Sequence, residues 1–313
     1  RKYFSGLLAV SVAGAFNPNN PVEERRDPYR VYYDDHITWG VSYMQGKRSY
    51  MEDYFSHVSR GGVELFGVYD GHGNDRTSLY LSEHLLENIS SNLSKIASGN
   101  QFFKREVIGK SLYDTFVGTN EEYKKYASNK YGLRAAGGST SVVAALYRDE
   151  NNKFHLSVSN AGDSRGVLVS DNEKKVYEMS IDHKPDSPDE KKRIESTGGF
   201  VTQRNFDVPR VNGVLATSRS FGDFSLSPQV IADPDIIDVE LGMISSNSRF
   251  DIDSKWNSDG LTLVLASDGL WDVFSSQQIS DAVNELRNGG YKAVTISHAL
   301  CKAAFENHSS DNI

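Results

Sequence analysis

Leu65-Phe66-Gly67-Val68-Tyr69-Asp70-Gly71-His72-Gly73 is an apolar run that stops at a carboxylate and a glycine turn. Two further stretches have the same construction. Leu261 to Ala266 runs into Ser267-Asp268-Gly269, and the alternating segment Phe154, Leu156, Val158 runs into Ala161-Gly162-Asp163-Ser164-Arg165. Short apolar runs bounded by Gly and Asp read as strands, so each places a carboxylate at the end of a buried β element. Period-two alternation also marks Ile37, Trp39, Val41 and Tyr43 as a half-buried strand. Val142 to Tyr147, a polar turn from Arg148 to Asn152, and Lys153 to Ser159 predict a hairpin and hence antiparallel neighbours.

Helical spacing appears between these runs. Leu81, Leu85, Ile89 and Leu93 recur every four residues, and Ile108, Leu112 and Phe116 continue that spacing as core-facing stripes. Ser187-Pro188-Asp189-Glu190 predicts a helix start with a capping serine, a proline at the first helical position and Glu190 as capping-box partner, ending at Gly198-Gly199. Ser275 with Gln278 predicts a second capping box, on a helix that buries Ile279, Val283 and Leu286 and ends at Gly289-Gly290. Strands in runs with helices grouped between them predict an α+β class, with sheets packed on each other and helices outside.

The 313 residues carry 34 Lys and Arg against 42 Asp and Glu, a net charge of −8. That balance argues against a protein that neutralises a phosphate backbone, so nucleic acid is not an expected partner. Cys301 is the single cysteine, which excludes an internal disulfide scaffold and suits a reducing compartment. Hydrophobic residues at 38% and charged residues at 24% describe an ordinary folded protein. Residues 1–36 read as an N-terminal arm: the apolar part, Tyr3 to Phe16, would span about 21 Å as a helix, short of a hydrocarbon core of roughly 30 Å. It reads as the tail of a targeting sequence or signal anchor, with Arg1 and Lys2 as its basic flank and a frayed arm as the alternative. Pro18, Pro21 and Glu23 to Arg30 then form a linker, and the folded domain is expected over 37–313.

No Gly-x-x-x-x-Gly-Lys loop, Gly-x-Ser-x-Gly elbow or cysteine pair for zinc occurs. The carboxylates remain. If the strand ends meet, Asp70, Asp163 and Asp268, joined by Glu52, Asp53 and Asp311, cannot all stay ionised without a cation. Oxygen ligands without thiolate or clustered histidine select a hard ion, magnesium or manganese. Two such ions about 3.5 to 4 Å apart can share a water, lower its pKa and hold it for in-line attack on phosphorus.

Eight pieces of the chain, in order, resemble the motifs of the PP2C (PPM) family of metal-dependent protein serine/threonine phosphatases. They are Arg48-Ser49-Tyr50-Met51-Glu52-Asp53, Val68 to Gly73, Gly162-Asp163-Ser164-Arg165, Asp182-His183-Lys184-Pro185, Arg210-Val211-Asn212-Gly213 with Leu215-Ala216, Ser218 to Asp223, Ala266 to Asp272, and Ser310-Asp311-Asn312. The resemblance implies an antiparallel β-sandwich flanked by helices. It implies that Asp70 bridges two Mg2+ or Mn2+ ions, that the Gly71 carbonyl and Glu52 complete their shells, and that Asp268 and Asp311 hold the second ion, with Asp53 a supporting acidic neighbour. Asp163, with Asp268, matches the family position for a third, weaker ion. Arg48 resembles the phosphate-binding arginine and His72 the general acid that protonates the departing Ser or Thr oxygen. The implied partner is a phosphoprotein substrate, and a monomer is expected.

Other residues keep structural expectations. His183 is expected to be buried or hydrogen-bonded near the Pro185 turn, and Trp271 to belong to the core. Arg219 is expected to touch phosphate or to pair with Asp223. Asn74, Thr77 and Ser78 depart from the family pattern and are expected to bring local changes only. Met243 to Gly260 is a longer connection than the family minimum. The sequence stops at Ile313, where the family's last central strand begins, so a fragment or an absent strand is expected, with Asp311 on a frayed end. Two rival functions are a binding protein with a dead phosphatase fold, which should lack a ligand, and a metal-dependent phosphodiesterase acting on nucleotides. A mitochondrial or membrane-anchored location is expected from the arm, with the cytoplasm as the alternative and membrane contact only through residues 1–36.

Overall fold

The computed structural model describes residues 6–11, 37–97, 102–170, 175–205, 207–241 and 261–313. In chain order the elements are β1 (Gly6–Ser11), β2 (Ile37–Ser42), β3 (Tyr54–Arg60), β4 (Val63–Tyr69), β5 (Gly71–His72), α1 (Arg76–Ala97), α2 (Arg105–Lys130), β6 (Gly138–Ser139), β7 (Ser141–Arg148), β8 (Phe154–Ala161), β9 (Arg165–Ser170) and β10 (Lys175–Glu178). There follow α3 (Pro188–Ser196), β11 (Val201–Thr202), β12 (Arg210–Val211), β13 (Phe221–Gly222), β14 (Asp235–Leu241), β15 (Leu261–Ala266), α4 (Asp268–Trp271), α5 (Ser276–Asn288) and α6 (Ala293–Glu306).

Two five-stranded sheets, in the orders β10-β9-β15-β1-β2 and β14-β8-β7-β4-β3, stack face to face. Phe66, Val68, Val142 and Val158 of one meet Trp39, Leu168, Leu263 and Leu265 of the other. Both outer faces are covered as well, so the long strands read as continuous apolar runs. In β4, Val63, Leu65 and Tyr69 point away from the sandwich onto Leu81, Leu85, Ile89 and Leu93 of α1 and Ile108, Leu112 and Phe116 of α2. In β15, Val264 and Ala266 pack on Ile279 and Val283 of α5 and on Ile296 and Leu300 of α6. The result is a helix–sheet–sheet–helix stack, the α+β sandwich expected from the period-two and period-four stripes.

The long pairings are antiparallel, including the expected hairpin, in which Ser141 to Arg148 of β7 oppose Ala161 to Phe154 of β8. The backbone of residues 6–11 is the exception: β1 pairs parallel with both β15 and β2. β1 lies inside the apolar stretch Tyr3 to Phe16, so the first sheet takes in residues from the arm expected to precede a domain starting at 37. The rest of the 1–36 arm, with the linker expectation placed on it, and the connection at Met243 to Gly260 lie outside the described residues. Among the described residues no helix is long and apolar enough to cross a membrane.

The Ser275–Gln278 capping box forms as expected at the start of α5. The box at Ser187 does not. Ser187 precedes α3 with Pro188 at the first helical position, but its side chain makes no cap bond, because Glu190 is engaged by Arg193, Arg219 and Ser218.

Candidate metal centre and active site

Strand direction explains why distant carboxylates meet. β4 and β8 both run antiparallel to β7 between them, so their carboxyl ends, which lead into Asp70 and Asp163, lie on the same edge of one sheet. The chain crosses to the other sheet through Gly162-Asp163-Ser164 and enters β9 at Arg165, which stands opposite Ala266 at the end of β15. Asp268, two residues later, is thereby brought to the same edge. Glu52 and Asp53 precede β3, which pairs with β4 from Tyr54 opposite Tyr69.

Asp311 reaches this edge through a clamp and not on a frayed end. Met44 and Ile313 exchange two backbone hydrogen bonds of 2.9 and 3.0 Å. Asn312, buried, donates to the carbonyls of Gln45 and Tyr50 and accepts from the Glu52 N–H. Ile313 is buried among the residues that α5 and α6 cover. Gly269 is required beside it, since a Cβ there would sit 1.7 Å from the Asn312 carbonyl oxygen.

The positions that depart from the family pattern hold the opposite wall. Ser78 donates to the Glu52 carbonyl, Gly71 N–H donates to the same oxygen at 3.1 Å, and the Thr77 hydroxyl lies within hydrogen-bond distance of Tyr123 Oη and the Ala136 carbonyl, at 2.9 and 3.1 Å. Asn74 accepts from the Arg76 N–H at the start of α1. Thr140 accepts from the Asp70 N–H, donates its own N–H to the Asp70 carbonyl, and shares a 2.6 Å hydrogen bond with Ser164. It ties the Asp70 and Asp163 turns together.

The electrostatics are those of crowded acids. Burial, then Asp53, Asp311 and Asp163, hold the Asp70 carboxyl well above the usual carboxylate range. Burial, then Asp70, Asp163, Asp311 and Asp272, do the same to Asp268. Asp53 is raised by burial and by Asp268, against the pull of a Ser267 hydrogen bond. Glu52 is raised by burial, with Arg48 and His72 opposing. Asp53 Oδ2 and Asp268 Oδ1 are buried without a hydrogen-bond partner. Among the described residues no three His, Cys, Asp or Glu side chains stand together in a position to hold a metal ion as the side chains lie. The hard oxygen donors, the mutual repulsion and the two orphaned buried oxygens nevertheless suit a divalent cation, which would relieve both at once.

Two groups of opposite character border the acids. Arg48 pairs with Asp311. His72 Nε2 lies 2.6 Å from Asp223 Oδ2, and Ser220 Oγ donates to that same oxygen. A short three-stranded sheet makes this contact, with β6 between β5 and β13, His72 opposite Gly138 and Gly222 opposite Gly138. A side chain at Gly138 would strike both Asp223 Oδ2 and His72 Nε2. Burial opposes charge on the His72 ring, and Asp223 more than offsets it, so its pKa is raised.

All nine residues singled out in the sequence, Arg48, Glu52, Asp53, Asp70, Gly71, His72, Asp163, Asp268 and Asp311, therefore lie around one edge of the sandwich. His183 is structural as expected, buried, with Nδ1 accepting from the Gly162 N–H and Nε2 3.1 Å from Asp235. Trp271 is core, donating to the Ala266 carbonyl. Arg219 does not pair with Asp223: its guanidinium binds Glu190 and Asp235, while Asp223 turns to His72 from a left-handed backbone at φ 44°. Sequence inspection passed over Thr140, quoted Lys184 and Asp272 within motifs without giving them a role, and gave Asp223 to Arg219 instead of to His72. Asp272 is recoverable as the residue four after Asp268, its N–H bonded to the Asp268 carbonyl across the single turn of α4.

The family profile described as Protein phosphatase 2C matches residues 38–313. Probable protein phosphatase 2C 17 of Arabidopsis thaliana is 37% identical over 257 residues, covering 80% of this chain and 79% of that protein. Probable protein phosphatase 2C 11 of the same plant is 36% identical over 281 residues, covering 88% of this chain and 65% of its own length. A rice relative, probable protein phosphatase 2C member 13, mitochondrial, is 34% identical over 284 residues, covering 90% of this chain and 67% of that protein. Among solved structures, a C. elegans sex determining protein superposes with a TM-score of 0.69 at 26% identity, over 87% of this chain and 62% of that one. Serine-threonine phosphatase 2C from Toxoplasma gondii, at 23% identity and a TM-score of 0.65 over 86% and 90% of the two chains, shares the fold.

Proposed function

Because this chain belongs to the protein phosphatase 2C family, we propose that it hydrolyses phosphoserine and phosphothreonine in proteins with the help of divalent ions. The observation that supports this most is the gathering of Glu52, Asp53, Asp70, Asp163, Asp268 and Asp311 at one edge, with an arginine and a histidine at its rim. Asp70, the Gly71 carbonyl, Glu52, Asp268 and Asp311 would hold two magnesium or manganese ions, with Asp53 in support and a third ion proposed at Asp163 and Asp268. When bound, the ions supply Lewis acidity and a water of lowered pKa as nucleophile.

The chain's own groups do the rest. Arg48 presents a planar fork suited to two phosphate oxygens, and the substrate competes with Asp311 for it. His72 protonates the departing Ser or Thr oxygen. Its Nε2 is engaged by Asp223, so the proton leaves from Nδ1, while the carboxylate fixes the ring plane and favours the imidazolium. The substrate is a phosphoprotein, and the enzyme acts as a monomer. A mitochondrial or membrane-anchored location is proposed with the rice relative's name as support, against a cytoplasmic alternative; within the 1–36 arm, residues 6–11 are committed to the first sheet as β1 and are not available as an anchor.

The test is phosphate release from a phosphothreonine peptide by the full chain, with manganese and then with chelator. Release that needs manganese and is lost in Asp70→Asn is expected. Absence of manganese-dependent release, or faster turnover of a nucleotide diester, would overturn the assignment.

A further inference from the structure

One cation enters the acidic cluster without a part in the chemistry derived above. Lys184 Nζ donates to Asp163 Oδ2 at 2.6 Å, with the Lys184 side chain 41% and the Asp163 side chain 9% exposed. The segment that carries Lys184 is built onto the Asp163 turn from two sides. Gly162 N–H donates to His183 Nδ1 and His183 N–H donates to the Gly162 carbonyl, both at 3.0 Å. Arg165, two residues beyond Asp163, forks onto Asp182, two before Lys184, at 3.0 and 2.7 Å. Residues 182–184 are thus docked on 162–165, and the ammonium is delivered to one oxygen of Asp163. It lies in the field of Asp268 and Asp272 as well, so one ammonium answers three carboxylates.

We propose, on the premise that this cluster binds divalent ions, that Lys184 is a built-in counter-charge that holds Asp163 and competes with the outermost ion for it. An ammonium is a compact point charge with rotatable donors and demands no ligand geometry, so it can neutralise Asp163 where no ion sits. An ion arriving at Asp163 must displace Nζ from Oδ2 or make do with the other oxygen. Lys184 therefore sets the affinity of the Asp163 side of the site below that of the Asp70 side, and makes its occupancy depend on ion concentration.

Manganese binding to the metal-stripped full chain, followed by calorimetry and by the electron paramagnetic resonance of free Mn2+, tests this without reference to turnover. In Lys184→Met the weakest manganese step should tighten by about tenfold or more, the scale expected from removing a unit charge in contact with a ligand carboxylate at a partly exposed site. The tighter steps should stay as in the parent protein. Lys184→Arg, which keeps the charge, should stay close to the parent. Lys184→Gln supplies the same comparison should the Met variant fail to fold. An unchanged or weakened outer step in the neutral variants would overturn the proposal, since Lys184 would then be only a prop for Asp163. If manganese binds to no form of the protein, the premise fails and the proposal with it, and that result is distinct from intact inner steps with an unmoved outer one.

Discussion

Replacing Glu190 by Gln tests the buried ion network behind the site. Glu190 is 5% exposed on the first turn of α3. It accepts from Arg219 at 2.7 and 3.1 Å, from Arg193 at 2.7 Å and from Ser218 Oγ at 2.6 Å. Burial alone would raise its pKa, but the hydrogen bonds from Arg219, Arg193 and Ser218 hold it down, from 4.5 to about 2. At roughly 1.4 kcal/mol for each tenfold, that difference corresponds to about 3 kcal/mol of folding stability. The Arg193 and Arg219 side chains keep 22% and 14% exposure, so about 2 to 3 kcal/mol is the figure to expect after solvent screening. The sign follows from a folded pKa below the unfolded one: the contribution is complete above about 4.5 and is lost as pH falls toward about 2. Urea unfolding of parent and Glu190→Gln at pH 7, 4 and 3 should therefore show a gap of about 2 to 3 kcal/mol at pH 7, with more than half of it gone by about pH 3. A gap that stays constant across this range, or one under about 0.5 kcal/mol at pH 7, refutes the linkage.

Asp223→Asn should lower turnover of a phosphothreonine peptide by about 100-fold, while an aryl phosphate whose leaving group departs without a proton changes little. Equal losses on both substrates would mean that Asp223 does not act through His72. Asn312→Ala removes two donors to the Gln45 and Tyr50 carbonyls and the acceptor for the Glu52 N–H, and should cost about 1 to 3 kcal/mol in urea unfolding together with weaker manganese binding. Stability loss with unaltered manganese affinity would separate Asp311 from this clamp. Ser275→Ala should cost about 1 kcal/mol through the α5 cap and leave turnover unchanged, since α5 stands behind the first sheet. A large activity loss there would contradict its placement.

What the sequence made legible was local and periodic. The stripes at Leu81 to Leu93, the continuous apolar runs of β4 and β15 and the alternation in β8 are consequences of burying one or both faces of an element, and they need no knowledge of partners. The Ser275 box is equally local, because Gln278 has no stronger partner. Ser187 and Glu190 have the same spacing and fail, because Arg219, 29 residues on, supplies a charged donor that a capping bond cannot match. The pairing of Arg219 with Asp223 failed for a related reason. A separation of four residues brings side chains together regularly on a helix, and here the short strand β13 and the left-handed residue that follows it send the two side chains in different directions. Asp70, Asp163 and Asp268 could be found one at a time, each as the end of an apolar run, and Glu52, Asp53 and Asp311 through the motifs that carry them, but the groups that position the site could not. Asp223 reaches His72 across 151 residues, and Asn312 reaches Glu52 across 260. Both contacts depend on which strand edges coincide, a property of the two packed sheets and of no single segment. The residues that tune this site therefore lie on the β5–β6–β13 sheet, on the 182–184 segment and in the 309–313 clamp, where substitutions should alter manganese affinity or substrate preference before they alter the fold.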